Sequence, residues 1–275
     1  HRQRLDFTYE TDWGLRFNTG IRWQSNRTAG NLHYFTLDGN EVKKIRMTDI
    51  NVGINYNPGV TYVNTKQQRL PINLDSPEIG ISHTMGFKGF MGGQYHSNIT
   101  KVSIYKRQWL GSFGYLDFHA VGQAQWNKVP FPMLILPPVN LSYFESESSV
   151  SLMRDWEFLN DRQVFASLSW DMNGKLLNRI PLIRHLKWRE YISFKGMFGK
   201  LTDKNNPMVN SADPLLFRFP AESHVMDSHT PYMEVVAGVH NIFKFFGVDY
   251  VRRINYNNNP DVKKNGIRFS FSMSF

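Results

Sequence analysis

The stretch that decides the fold class is WGLRFNTGIRW, from Trp13 to Trp23. Its odd-numbered positions are mostly apolar, and its even-numbered positions carry glycine, arginine and asparagine. This period of two residues predicts a β-strand with one apolar and one polar face. The stretch is roughly 33 Å long, and a tilt of about 40° fits it to the apolar band of a transmembrane barrel, about 25 Å tall. Because an indole is apolar in its body and polar at its N–H, Trp13 and Trp23 are candidate members of the two interfacial aromatic girdles.

The same alternation recurs along the chain. It is found at positions 50–56, 116–126, 164–172, 192–198 and 267–275. Strands of soluble proteins usually have about 5–6 residues, and several of these stretches are about twice as long. We therefore predict an all-β protein, a transmembrane antiparallel β-barrel with roughly 12–14 strands in this chain. The alternative is a soluble β-sandwich, which needs a second sheet over each apolar face and turns about every 8–12 residues.

Composition narrows the functional classes. The chain has 275 residues, a net charge of +9, 15% aromatic residues and no cysteine, so disulfides and thiolate metal sites are excluded. No apolar run reaches the roughly 20 residues of a membrane-spanning helix. The basic residues are dispersed rather than gathered in a stripe, which argues against nucleic acid and favours lipopolysaccharide phosphates or a charged lumen. The chain begins at His1 without a signal-peptide pattern, and we expect residues 1–275 to be one barrel domain from a longer protein.

A proline-rich stretch at residues 127–146 interrupts the alternation. Proline has no backbone N–H to give to a strand ladder, which excludes an ordinary central strand. A packed connection, a loop folded into the lumen as a plug, and an element that binds a partner all fit this composition. The candidate residues of this plug or partner segment are Pro130, Phe131, Pro132, Leu134, Pro137 and Pro138.

A basic and apolar stretch follows at residues 176–190. Proline suits the first position of a helix, so this stretch predicts a short amphipathic helix after Pro181. Such a helix would lie at a membrane surface with its cations near anionic head groups. A structured turn with solvated charges is the alternative. The candidate interfacial cations are Arg179, Arg184, Lys187 and Arg189.

The sequence carries no motif for catalysis. It has no HExxH and no GxSxG, and its nine histidines are scattered, so we predict no catalytic residue, no metal site and no cofactor. A serine–histidine hydrolase on the barrel wall is the one enzymatic interpretation, and the alternation gives it no support. On the predicted 248–256 strand, Asp249 and Arg253 share one face, and we expect them to pair in the lumen and brace its wall.

The C-terminal strand carries a further signal. The chain ends on an aromatic residue, with apolar residues at alternate positions before it. This arrangement resembles the signal by which outer-membrane barrels are recognised by their assembly machinery. The residues of the signal are Ile267, Phe269, Phe271, Met273 and Phe275.

Three more stretches resemble one protein family. They are KVPFPMLILPPVNLSYF (Lys128 to Phe144), MNGKLLNRIPLIRHLKWRE (Met172 to Glu190) and HNIFKFFGVDYVRRINY (His240 to Tyr256). They are similar to the C-terminal barrel of a Bacteroidota family of outer-membrane proteins of unknown function. That family has an N-terminal carboxypeptidase-regulatory-like domain, and its barrel is related to the BamA and surface-antigen superfamily. The resemblance covers residues 96–275 well and residues 1–95 only in pattern, and it implies a barrel of about 16 strands, partly built from other chain segments.

The resemblance implies location and fold more than activity. BamA-type relatives insert barrels or export polypeptides through a seam between their first and last strands, using an arginine in a lumen loop with an arginine–glycine–aromatic motif. This sequence contains no Arg-Gly-Phe and no Arg-Gly-Tyr. The resemblance therefore transfers no catalytic residue, and it leaves insertase activity unsupported.

Together these observations predict a non-enzymatic β-barrel in the outer membrane of a Gram-negative bacterium. We expect it to act in envelope biogenesis or as a subunit of an outer-membrane complex. Its expected partners are outer-membrane lipids, lipopolysaccharide, and BamA-type assembly proteins or lipoproteins. The alternatives are a passive or substrate-specific pore and, third, the barrel-borne hydrolase.

Overall fold

A computed structural model describes residues 1–28, 30, 32–65 and 69–271. Eleven of its strands form one antiparallel sheet in chain order. The strands of this sheet are β1 (Arg2–Glu10), β2 (Leu15–Arg27), β3 (Lys44–Tyr56), β6 (Glu78–Gly86), β7 (Ser97–Trp109), β8 (Tyr115–Gln125), β9 (Arg162–Asp171), β10 (Arg189–Lys200), β11 (Tyr232–Ile242), β12 (Phe246–Arg253) and β13 (Asn265–Phe271). The remaining two, β4 (Tyr62–Asn64) and β5 (Arg69–Pro71), form a hairpin of their own, so β3 pairs with β6.

The predicted alternation sets the two faces of this sheet. In the pairing of β2 with β3, Phe17 lies opposite Ile54 and Ile21 opposite Ile50, so apolar residues meet across the strands. The intervening positions place Asn18 opposite Gly53. We call the apolar side the outer face and the polar side the inner face. The prediction of an all-β antiparallel fold with alternating faces is confirmed.

The connections differ between the two ends of the sheet. At one end, residues 28–43, 126–161, 201–231 and 254–264 join the strands, and we call it the long-loop end. At the other end, three connections are short turns, residues 11–14, 110–114 and 243–245, and two are longer, residues 57–77 and 172–188. We call this the turn end, and it is where β13 finishes.

The hydrophobic core lies between the long loops and the inner face. At the long-loop end, Tyr34, Phe131, Leu159 and Phe217 come from three loops and pack in one cluster with Ile45 of β3. A second cluster joins Val150, Met153 and Phe158 of the 126–161 loop to strand residues, namely Phe165, Met197 and Tyr232. Burying each of these side chains contributes about 1.5–3 kcal/mol. The core is therefore built from loops that cover one face of a single sheet.

The outer face has no such cover among the described residues. Large apolar side chains stand exposed on nearly every strand, including Ile81, Ile104, Phe118, Leu168, Phe194 and Ile267. Contiguous exposed apolar surface beyond a few hundred Å² marks a site of contact with membrane or protein. Within the part of the chain that the structure covers, none of the helices has the length and apolar character to span a bilayer.

Three sequence predictions need correction or refinement. Residues 176–190 contain two 3₁₀ turns, Leu177–Arg179 and Ile183–Leu186, and not an amphipathic α-helix. Pro181 separates the turns, and Lys187 ends the second with a φ of 54°, so neither continues. The predicted 12–14 strands are realised as an 11-stranded sheet and a two-stranded hairpin. Among the described residues β1 and β13 do not pair with each other, so the sheet has two edges.

A glycine in the turn between β7 and β8 gives the first prediction. Gly114 has a φ of +79°, and a Cβ there would lie 1.9 Å from the backbone oxygen of Asp171. We expect Gly114→Ala to lower the free energy of unfolding by more than about 1 kcal/mol, measured by denaturant titration in detergent micelles. The control is Gly122→Ala, because a Cβ there meets only Val164 at 3.9 Å. Equal stability of the two variants would contradict this account of the turn.

Candidate functional site

The most distinctive site is the inner face, where residues 126–161 fold against the sheet. We call these residues the inner segment. It leaves β8 at the long-loop end and returns there to begin β9. Of the predicted plug residues, Pro130, Phe131, Leu134 and Pro137 are buried, and Pro132 and Pro138 are half-buried. The structure thus places the proline-rich stretch as a packed element over the inner face.

An ion pair attaches the end of the inner segment to β12. The guanidinium of Arg253 donates to Glu157 at 2.6 Å, and both side chains are fully buried. Arg253 also donates to the backbone oxygens of Asn255 at 3.0 Å and Tyr256 at 2.7 Å. Burial acts to raise the pKa of Glu157, but hydrogen bonds from Arg253, Asn259 and the Arg154 backbone outweigh it, so the pKa is lowered.

A second ion pair holds the middle of the inner segment. The fully buried ammonium of Lys195, on β10, pairs with the carboxylate of Glu145. The same ammonium donates to the backbone oxygens of Ser146 at 2.6 Å and Ser149 at 2.7 Å. All three of its N–H donors therefore bind the inner segment, which compensates the cost of burying the charge.

A third contact uses a carboxylate of the sheet. Glu234, on β11, accepts hydrogen bonds from the backbone N–H groups of Ser151 at 2.8 Å and Leu152 at 2.7 Å. The hydroxyl of Tyr232 donates to the same carboxylate at 2.6 Å. Charged side chains on β10, β11 and β12 thus bind the inner segment at three successive places along its length. These contacts fix the inner segment against the inner face.

The inner segment also reaches the last strand. The backbone N–H of Phe269 donates to the oxygen of Tyr143 at 2.8 Å, and the N–H of Glu145 donates to the oxygen of Phe269 at 2.7 Å. Phe144 forms a parallel bridge to Phe269. These bonds occupy part of the edge of β13 that faces away from β12.

Away from the loop cluster on Ile45 of β3, the inner face of β1–β8 is polar and open. Between β1 and β8 it forms a cavity of about 320 Å³. The residues lining it include Arg4, Arg22, Asp49, Asn51, Thr84 and Lys101. Arg22 pairs with Asp49 at 2.6 Å. The inner face is therefore divided into a filled region under β9–β13, which extends over the long-loop end of β3, and an open, polar region under the rest of β1–β8.

The predicted pairing of Asp249 with Arg253 is wrong. The two residues share the inner face of β12, as predicted, and both are fully buried, but each has another partner. Arg253 binds Glu157, and Asp249 lies 2.8 Å from Nε2 of His240 on β11. Four residues along a strand span about 13 Å, which is too far for direct contact.

Four of the seven tryptophans lie in two rows on the outer face, whereas Trp156 packs on Phe131 within the inner segment. Trp23 and Trp126 stand at the long-loop end, and Trp13 and Trp170 at the turn end. Three of their indole N–H groups have acceptors, from Trp23 to the Met91 oxygen at 3.1 Å, from Trp126 to Thr100 at 2.8 Å and from Trp170 to the Phe113 oxygen at 2.9 Å. Trp13 and Trp23 therefore occupy opposite ends of the same face.

The other predicted site residues lie apart from the inner segment. At the turn end, Arg179, Arg184 and Lys187 are exposed and Arg189 is half-buried. Ile267 and Phe271 are exposed on the outer face of β13, while Met273 and Phe275 lie outside the described residues. Phe269 stacks on Phe246 of β12 at 5.5 Å.

Sequence reasoning missed the residues that hold the inner segment. Glu145, Glu157, Lys195 and Glu234 were not predicted to act together. The available signal was a charged residue in mid-strand, as in ISFKGMF around Lys195, because a buried charge needs a partner. Among the described residues no group of three or more potential ligands could hold a metal ion, and no serine hydrogen-bonds to a histidine side chain.

Two comparisons with known proteins give matches. Residues 2–129 match the model of a family of unknown function, the DUF5686 C-terminal domain. That match lies mainly before the three stretches on which the sequence resemblance rested. The structure of BamA from Haemophilus ducreyi lacking POTRA domains 1–3 is similar, with a TM-score of 0.59 at 12% identity. The similarity covers 98% of this chain and 53% of that one, so this chain spans about half of the BamA chain. It shows a BamA-like fold. A comparison with curated proteins gives no match.

The ion pair between Glu157 and Arg253 gives a second prediction. Removing one partner leaves a buried charge, so we expect Glu157→Gln to lower the free energy of unfolding by about 3–5 kcal/mol at pH 7. Because the folded pKa of Glu157 is below its ordinary 4.5, the part of this stabilisation that depends on ionisation is present above about pH 4.5 and is lost as the pH falls through the folded value. Denaturant titrations from pH 7 to pH 3 measure both effects.

The matched control is Glu222→Gln. Glu222 pairs with Arg154 at 3.0 Å but is 70% exposed, and exposed pairs contribute about 0–1 kcal/mol. A Glu157→Gln variant as stable as this control, with the wild-type pH dependence, would rule out the proposed role of the ion pair.

The Lys195 cluster gives a third prediction. Lys195→Met removes the ammonium whose three N–H groups donate to the inner segment. We therefore expect the rate of backbone hydrogen exchange in residues 143–152 to rise about tenfold or more. Lys101→Met is the control, because Lys101 is exposed on the inner face of β7 and makes no ion pair among the described residues. Unchanged exchange in Lys195→Met would show that other contacts hold the segment.

Proposed function

We propose that this chain forms the C-terminal part of a β-barrel in the outer membrane of a Gram-negative bacterium. The observation that carries the proposal is the division of one sheet into an apolar, uncovered outer face and a polar inner face with a packed segment. Lipid would cover the outer face, since only closed barrels and helices satisfy every backbone group in a bilayer. The two rows of tryptophan fit the two interfaces.

The edges of the sheet support a barrel larger than these eleven strands. Within the described residues β1 pairs with β2 alone, and its side chains are exposed on both faces. Unpaired backbone groups in a membrane cost several kcal/mol each, so a membrane barrel needs further strands at this edge. Other segments of a longer protein supply them in this proposal, which gives about 16 strands in all.

The proposed role is non-enzymatic and lies in envelope biogenesis or within an outer-membrane complex. The fixed inner segment favours this role over passive diffusion of solutes through the barrel, because the segment fills the inner face under five strands, β9–β13. Outer-membrane lipids and lipopolysaccharide are the proposed surroundings, and BamA-type proteins or lipoproteins the proposed partners. The exposed basic segment at residues 176–190 is a candidate contact with the membrane surface or with such a partner.

A pore is the second candidate function. The uncovered, polar cavity under β1–β8 favours it, because it could line a water-filled path. The two functions differ in the state of the inner segment, which has to leave a path open in a pore.

The first test is a mild-detergent pull-down of the full-length protein from outer membranes, with mass spectrometry of the bound proteins. We expect the protein in the outer-membrane fraction, with stoichiometric recovery of a BamA-type protein or lipoprotein. Recovery of the barrel alone would favour the pore. A soluble protein, absent from the membrane fraction, would overturn the proposal.

Conductance in planar bilayers separates the two functions. We expect the full-length wild type to be closed and Lys195→Met to open transiently, because the inner segment is released, while Lys101→Met stays closed. Steady conductance of the wild type would favour the pore.

A further inference from the structure

The outer face has a groove at the long-loop end, between β7 and β10. Its volume is about 420 Å³. Its walls are mainly apolar, and they include Val102, Trp126, Val164 and Phe198. Groove and walls lie on the face that the proposed function assigns to lipid.

The groove owes its depth to small residues. Gly122, on β8, stands between Val102 of β7 and Val164 of β9 in the strand pairing. A Cβ on Gly122 would meet only Val164, at 3.9 Å. The next outer-face position on β8, Ala124, is also small and lies opposite Arg162. Two strand positions without bulk therefore leave a slot between larger side chains.

Two cations stand at the rim of this groove. Arg162 of β9 lies directly opposite Lys200 of β10, and both side chains are exposed. Like charges directly opposite each other on neighbouring strands are destabilising. Within the described residues, neither forms an ion pair with a carboxylate. The sheet thus carries an uncompensated positive pair beside an apolar slot.

The surroundings of the pair do not neutralise it. The guanidinium of Arg162 lies 5.5 Å from the ring centre of Trp126, and Lys204 donates to the Trp126 backbone oxygen at 2.7 Å. Ser228 lines the groove, and the neighbouring Asp227 accepts bonds from the His229 backbone at 3.0 Å and Thr230 at 2.9 Å. A third cation is therefore near. Asp161, directly before Arg162 in the chain, is buried and accepts hydrogen bonds from Thr202 at 3.2 Å and Asn205 at 2.8 Å, so both neighbouring acids are engaged elsewhere.

We propose that this groove binds a lipid with a phosphate head group. One acyl chain lies in the slot over Gly122, and the phosphate binds between Arg162 and Lys200. An apolar tail next to an anionic head matches the order of slot and cations along the strands. Guanidinium and phosphate form paired, charge-assisted hydrogen bonds. The inference rests on the proposed membrane location of the outer face.

The test is native mass spectrometry of the full-length protein in mild detergent. The probes are dioleoylphosphatidic acid, dioleoylglycerol, which has the same tails without phosphate, and inorganic phosphate. We expect retention of phosphatidic acid but not of dioleoylglycerol or inorganic phosphate. The double variant Arg162→Gln/Lys200→Gln and the groove-filling variant Gly122→Leu should each lower retention about tenfold or more.

The controls are outer-face changes of the same kind outside the groove. Ala237→Leu adds bulk on β11, and Arg252→Gln removes a cation from β12; both residues are exposed. These variants should retain phosphatidic acid as the wild type does. Heat-modifiable migration in gels confirms that each variant is folded.

Distinct results overturn the site and the proposed function. Equal retention of phosphatidic acid and dioleoylglycerol, or wild-type retention in Gly122→Leu, overturns the lipid site while the protein remains a membrane barrel. The lipid site is also overturned if Gly122→Leu loses a bound protein while its retention of phosphatidic acid is unchanged. That result would assign the groove to a protein partner. A protein that stays soluble without detergent contradicts the proposed function itself.

Discussion

The buried pairing of charges between the inner segment and the sheet is the interaction on which the rest of this structure depends. Lys195 and Arg253 have side chains with no exposed surface, and each would be costly to bury alone. Their partners, Glu145 and Glu157, lie at two points of the same segment. The segment therefore has one position in which both charges are satisfied, and the apolar clusters around Phe131 and Phe158 pack in that position.

The location of the arginine in this ion pair differs from the one that the sequence resemblance implies. The resemblance stated from the sequence implies an arginine on a loop within the lumen. In this chain the loop supplies the carboxylate of Glu157, and the strand supplies the guanidinium of Arg253. The inner segment is thus held against the sheet by its own carboxylates, although the arginine–glycine–aromatic motif is absent from the sequence.

The sequence predicted what local periodicity determines. The alternation in β2, β8, β9 and β10 identified strands and faces, because side chains alternate with a period of two whatever the neighbouring strand is. It could not identify the partner of Arg253, since Glu157 lies 96 residues away in the chain. The sequence points to Asp249 instead, because Asp249 is close to Arg253 in the chain and shares its face of the strand. The 3₁₀ turns at residues 176–190 were also missed, because one proline fits a helix start and a break equally well.

The edge of β13 links the inner segment to the boundary of the sheet. The N–H of Phe269 already donates to Tyr143, and its oxygen already accepts from Glu145. A backbone N–H makes one strong hydrogen bond, so a strand that pairs with β13 at Phe269 has to replace these two bonds. Glu145 is also the partner of Lys195, and its release would leave a buried ammonium without its carboxylate. The arrangement of the last strand is therefore coupled to a charge in the interior, through three consecutive residues of one loop.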